Sequence, residues 1–158
     1  MEAQFNELKQ RLQEAADLSA AGSVLYWDQS TYMPPGGGAA RGRQLALLGK
    51  LAHDKSTDPA IGKLLDELRP YEESLPYDSD DAGYLRAARR AYERNTRVPS
   101  EFMAQFYEHS ALSYQAWAEA RPKNDFAAVR NNLEKTLDLS RKMAEYYPGY
   151  QHIADPLI

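Results

Sequence analysis

The chain has 158 residues, 43% hydrophobic and 27% charged, which suffices for a buried core in one domain of ordinary size. Its 19 basic and 23 acidic residues give a net charge of -4, against the basic stripe expected of a nucleic-acid-binding protein. The absence of cysteine excludes disulfides, thiolate metal sites and cysteine nucleophiles. The opening MEAQFNELKQ lacks the basic start and apolar core of a signal peptide, and no apolar run reaches the length of a membrane span. A cytoplasmic protein with no membrane partner is expected.

The pattern is helical throughout, with no run of β-branched residues that would make a strand, so the expected fold class is all-α. Phe5, Leu8, Leu12, Ala15, Ser19, Gly22 and Tyr26 step by three and four residues, predicting a long first helix over about residues 2–31. Its stripe becomes small at Ala15, Ser19 and Gly22, where another helix is expected to approach closely. Met33-Pro34-Pro35 must stop it, because the residue before a proline is pushed out of the α region.

Gly36-Gly37-Gly38 leads flexibly into a second helix over 39–54, with Leu45, Leu48, Leu51 and Ala52 as its apolar face. Asp58-Pro59 reads as N-cap and first position of a third helix over 59–69, carrying Ile61, Leu64, Leu65 and Leu68 and ended by Pro70. Tyr71 to Tyr77 reads as a polar connection. A fourth helix over 79–95 opens on acidic residues that suit the positive end of its dipole. Leu85, Ala88 and Tyr92 face inward and Arg86, Arg89, Arg90 and Arg94 mostly outward.

Pro99 is expected at the first position of a fifth helix over 99–121, with Val98 stapled on Phe102 or Met103. Its stripe is Phe102, Phe106, His109, Ser113, Ala116 and Ala120, with Trp117 beside it. Asp125 caps a sixth helix over 126–147 whose apolar positions include Val129, Leu133, Leu137, Ser140 and Met143. The apolar end, with Ile153, Leu157 and Ile158 and no helix stop or charged tail, reads as that of a truncated chain. These six helices make one helical domain over 1–158.

Gly37 and Gly42 have the spacing of a phosphate-binding loop, but Arg43 and Gln44 stand where Lys and Ser or Thr are needed. Asp78 to Gly83 starts like a calcium loop, but Ala82 and Arg89 occupy ligand positions five and twelve. The three histidines, His53, His109 and His152, are scattered and form no His-Glu-x-x-His. His53 suits the negative end of a helix dipole, and His109 reads as a hydrogen-bonded core residue. No serine–histidine relay can be assembled from spacing alone. Tyr26, Trp27, Tyr32 and Met33 cluster beside the Pro-Pro break, so some should lie near the surface. Asp28, in the last turn of the first helix, opposes the dipole and needs a cation; Arg41 or Arg43 is the natural partner.

Trp27-Asp28-Gln29, then Met33-Pro34-Pro35, then Arg41 resembles the N-terminal region of the carboxypeptidase Taq family. Softer matches are Leu51 to His53, Val98-Pro99, Trp117 with Ala120-Arg121, Asn124-Asp125-Phe126 and Asp155 to Ile158. The resemblance implies the N-terminal part of a larger all-helical metallocarboxypeptidase that releases single C-terminal residues from peptides. Such enzymes hold zinc, or sometimes cobalt, through a His-Glu-x-x-His helix and a later Glu, and are commonly homodimers. Here the expectation is a cap or scaffold beside the substrate groove, inactive alone and without catalytic, metal or cofactor residues. Its partners would be the catalytic remainder and peptide substrates. Trp27, Asp28, Gln29, Met33, Pro34, Pro35 and Arg41 would have structural or groove-lining roles. The rival expectation is a stand-alone helical interaction module without enzymatic activity, docking through the Ile153 to Ile158 stripe.

Overall fold

The computed structural model describes residues 1–157, so the expectation for Ile158 lies outside the described residues. These residues contain no strand. Their α-helices are α1 (Glu2–Thr31), α2 (Gly38–Ser56), α3 (Pro59–Glu67), α4 (Arg69–Ser74), α5 (Asp80–Asn95), α6 (Ser100–Ala120) and α7 (Phe126–Glu145). The six expected helices are present. The expected connection after Pro70 is corrected to a further short helix, α4. Pro70 sits in its first turn, where a missing N–H leaves no bond unmade, and the Glu72 N–H donates to Leu68 O (2.9 Å).

Capping follows the sequence. Asp58 accepts from the Ala60 N–H (2.8 Å), Ser79 from Ala82 (3.4 Å) and Asp125 from Ala128 (3.1 Å). Pro99 is corrected from first helical residue to N-cap of α6, which moves the staple: buried Val98 now precedes the cap, and Met103 stands four residues into the helix.

Two apolar clusters organise the chain. Phe5 and Leu8 of α1, Ile61, Leu64 and Leu65 of α3, the following Leu68, and Leu85 and Ala88 of α5 form the first. Phe5 sits against the rings of Tyr71 and Tyr84, with centroids 5.8 and 5.9 Å away. Val98, Phe102, Leu139 and Tyr147 form the second, between α6 and α7. Helix α2 joins the two halves by packing on both α1 and α6. His53 stands in the last turn of α2 as expected and is buried: its Nε2–H donates to Val98 O (2.6 Å) and ties α2 to the start of α6.

Three expected faces are corrected. No atom lies within 4 Å of a Cβ built on Gly22, so nothing approaches α1 closely there. Gly22 instead lines an open cleft with Ser19, Leu45 and Tyr107. Leu51 faces solvent while Ala52 is buried. On α7, Leu137 is exposed and Leu139 takes the buried position.

Candidate functional site: the α1–α2 corner and the α6–α7 groove

The corner forms because α1 cannot pass Met33-Pro34-Pro35. The last turn closes with the Tyr32 and Met33 N–H groups both donating to Asp28 O (2.9 Å each). A single 3₁₀ turn, Pro35–Gly37, then swings the chain into α2. Gly37 carries the Met33 side chain against it; a Cβ there would lie 2.8 Å from Met33 Cγ.

Arg41, in the first turn of α2, reaches back under this bend. Its Nη2 donates to Asp28 Oδ2, its Nη1 to Leu25 O, and its Nε to Gln44 Oε1 (3.3 Å). The expected Asp28–Arg41 pair is therefore formed, and Arg43 instead donates to Ala39 O (3.2 Å). Arg41 is buried, and its charge faces the negative end of the α1 dipole. Gln29 is also buried. Its Nε2 donates to Ala111 O (2.9 Å) and ties α1 to α6, while its Oε1 finds no donor among the described residues. Met33, Pro35, Tyr114, Gln115 and Glu119 line the small cleft beside it.

The aromatic residues of the corner face outward. Tyr26 is 50%, Trp27 58% and Tyr32 77% exposed, whereas Met33 is half-buried and Pro34 and Pro35 are exposed. Trp27 packs on Tyr32 (centroids 5.5 Å), and Tyr26 leads through Tyr114 to Trp117 (6.0 Å each). Trp117 borders an open groove of about 460 Å³ between α6 and α7, with Phe126, Val129 and Leu133 on its other wall. The α6–α7 turn that ends the groove passes through Asn124 in the left-handed region (φ 53°), which asparagine tolerates better than most residues.

Ser113 and Thr136 line the same groove, above a buried His109. His109 Nε2 lies 2.9 Å from Thr136 Oγ1 and 3.1 Å from Ser113 Oγ. This pairing of serine with histidine escaped the sequence reading, although their i, i+4 spacing on one helix was the available signal. No carboxylate orients the imidazole through these bonds, so they make a structural network rather than a nucleophilic relay.

Burial and the nearby Lys135 ammonium hold the His109 imidazole below its ordinary 6.5. A depressed histidine contributes stability that is fully present above the unfolded value and is lost as pH falls through the folded one. Between those values the unfolded chain binds more protons. The urea midpoint should therefore drop on going from about pH 7.5 to about pH 5, and His109→Gln should flatten that dependence. An unchanged slope in the variant would assign the acid loss to other groups.

Residues 7–158 match the carboxypeptidase Taq (M32) metallopeptidase family. The chain belongs to that family. Thermostable carboxypeptidase 1 of Thermus thermophilus is 32% identical over 144 residues, covering 91% of this M32 chain and 28% of the relative. The crystal structure of the M32 carboxypeptidase from Deinococcus radiodurans R1 is 41% identical over 99% of this chain and 31% of that one, with a TM-score of 0.69. The BsuCP crystal structure aligns over 98% of this chain and 31% of that one with a TM-score of 0.90, a likeness of fold at 22% identity.

This M32 chain thus spans about 30% of the length of the relatives it matches. No group of three His, Asp or Glu side chains among the described residues converges as a metal site would require. The donor set of the described residues does not fit a catalytic metal. No described helix is long and apolar enough to cross a membrane.

Proposed function

We propose that the chain is the N-terminal cap and scaffold of a cytoplasmic metallocarboxypeptidase that releases C-terminal residues from peptides. The carrying observation is the aromatic and aliphatic surface of Trp27, Trp117, Phe126, Leu133 and Leu137, each about half exposed or more on helices whose other faces are packed. Membership of the M32 family and the span of about 30% of its relatives support the reading that further protein covers part of this surface and that the rest borders substrate. The chain supplies no metal ligands in this reading. Zinc or cobalt and the catalytic residues belong to the remaining part. The family motif serves the wall: Asp28, Gln29 and Arg41 fix the bend from inside, Met33, Pro34 and Pro35 shape it, and Trp27 presents an aromatic face.

The purified chain should bind a hydrophobic dye and self-associate, and the double variant Leu133→Glu/Leu137→Glu should reduce both without changing the helical circular dichroism. It should release no C-terminal amino acids from peptides with added zinc or cobalt. A dye-silent monomer, or metal-dependent release by the chain alone, would overturn the proposal.

A further inference from the structure

Helix α5 carries a second surface, remote in chemistry from the aromatic corner. Its inner face, Ala82, Leu85 and Ala88, is buried in the first apolar cluster or beside it. Its outer face presents Arg86, Arg90 and Arg94 at i, i+4 and i+8, with Ala87 and Ala91 between them as the floor of an open groove of about 420 Å³. The helical rise sets these positions about 6 Å apart along one line.

The two outer arginines are held in place. The Arg86 guanidinium lies 4.0 Å from the Tyr77 ring centroid, and its Nη2 donates to Tyr77 O (2.7 Å). The Arg94 guanidinium lies 4.6 Å from the Tyr147 ring centroid, and its Nη2 donates to Pro156 O. Neither contact neutralises a charge. Each guanidinium carries five N–H donors, so donors remain on both. Arg90, exposed between them, makes no hydrogen bond to a side chain among those of the described residues and lies in no ion pair there.

An acidic chain that leaves such a row unmatched is informative. Arg11, Arg41 and Arg89 each meet a carboxylate, and Arg89 on the same helix folds back to Asp66 and Glu72. None of the ion pairs among the described residues involves Arg86, Arg90 or Arg94. Leaving three like charges in line costs repulsion, which an anionic partner would relieve.

We propose that the outer face of α5 docks an acidic helix of a protein partner. Carboxylates at i, i+4 and i+8 of that helix repeat at the arginine spacing, and the alanine floor lets its backbone come close. Guanidinium forks held by aromatic rings lose little freedom on pairing. A nucleic acid fits less well. The Tyr77 and Tyr147 rings already carry guanidinium groups in place of bases. The inference stands apart from the peptidase reading, since it uses no residue of the corner or the groove.

The test is fluorescence anisotropy with a labelled helical peptide bearing Glu at i, i+4 and i+8 of one face, beside the same peptide with Gln. Binding at about 50 mM salt should weaken steeply by about 300 mM. The Gln peptide and the Arg90→Glu variant should each bind about tenfold more weakly or not at all. Arg90→Ala, a milder change at an exposed position, should weaken binding with an unaltered melting curve. Equal binding by Arg90→Glu, or no binding of the Glu peptide to the parent chain, would overturn the proposal. So would a single-stranded oligonucleotide of equal charge that bound more tightly than the peptide, because it would mark a general polyanion surface.

Discussion

Leu85→Ala is expected to cost about 3 kcal/mol of stability, seen as a lower urea midpoint with an unchanged slope. Leu85 is wholly buried in the first cluster, with Phe5 and Leu8 of α1, Ile61 and Leu65 of α3 and the following Leu68. Truncation removes the transfer energy of the lost methyl groups and leaves a cavity that helices locked on both neighbours cannot close. Leu137→Ala supplies the contrast. The same chemical change at a 48% exposed position should cost no more than about 0.5 kcal/mol. Equal losses at the two sites would mean that α7 faces the core with the wrong side.

Arg41→Ala should cost about 2 kcal/mol and loosen the corner, whereas Asp28→Ala should cost well under half of that. The asymmetry follows from burial. The Arg41 side chain is 11% exposed and that of Asp28 36%. Water can replace arginine around the carboxylate, but truncating arginine also removes packing under the bend and a donor to Leu25 O. The double variant should show a coupling of about 1 kcal/mol in a cycle measured by urea unfolding. Equal single losses, or strict additivity, would show that the ion pair does not hold the corner. Loss of near-ultraviolet signal from Trp27 in Arg41→Ala would report the same loosening optically.

Much of the fold was legible because helix signals here are local. Proline and glycine stops, Asp and Ser caps and three-to-four residue spacing need no tertiary knowledge, and the Asp28–Arg41 pair follows from a carboxylate at the wrong end of a dipole. What escaped was set by neighbours. Proline at Pro70 ends one helix and equally opens another, and only the packing of Tyr71 on the first cluster selects the second outcome. Leu137 and Leu139 are equal in hydrophobicity, so the α6–α7 approach had to choose between them. Gly22 suggested a close helix neighbour, yet the structure leaves that face open. The candidate site was legible as a motif, since Trp27 to Arg41 carries the family likeness. The His109–Ser113–Thr136 network was not, because Thr136 reaches it from another helix.

The two apolar clusters differ in kind. The first draws on α1, α3 and α5 and closes around fully buried leucines; the second is a hairpin of α6 and α7 whose far side lies open. Between them run clefts along α1, α2 and α6 lined by small side chains such as Ser19, Gly22 and Gly49. Cooperativity is therefore uneven along the chain. Opening of α7 uncovers the smaller second cluster, whereas opening of α3 or α5 breaches the larger one with its fully buried leucines. Amide hydrogens of α7 should consequently exchange faster, through local opening, than those of α3 and α5 in native-state hydrogen exchange.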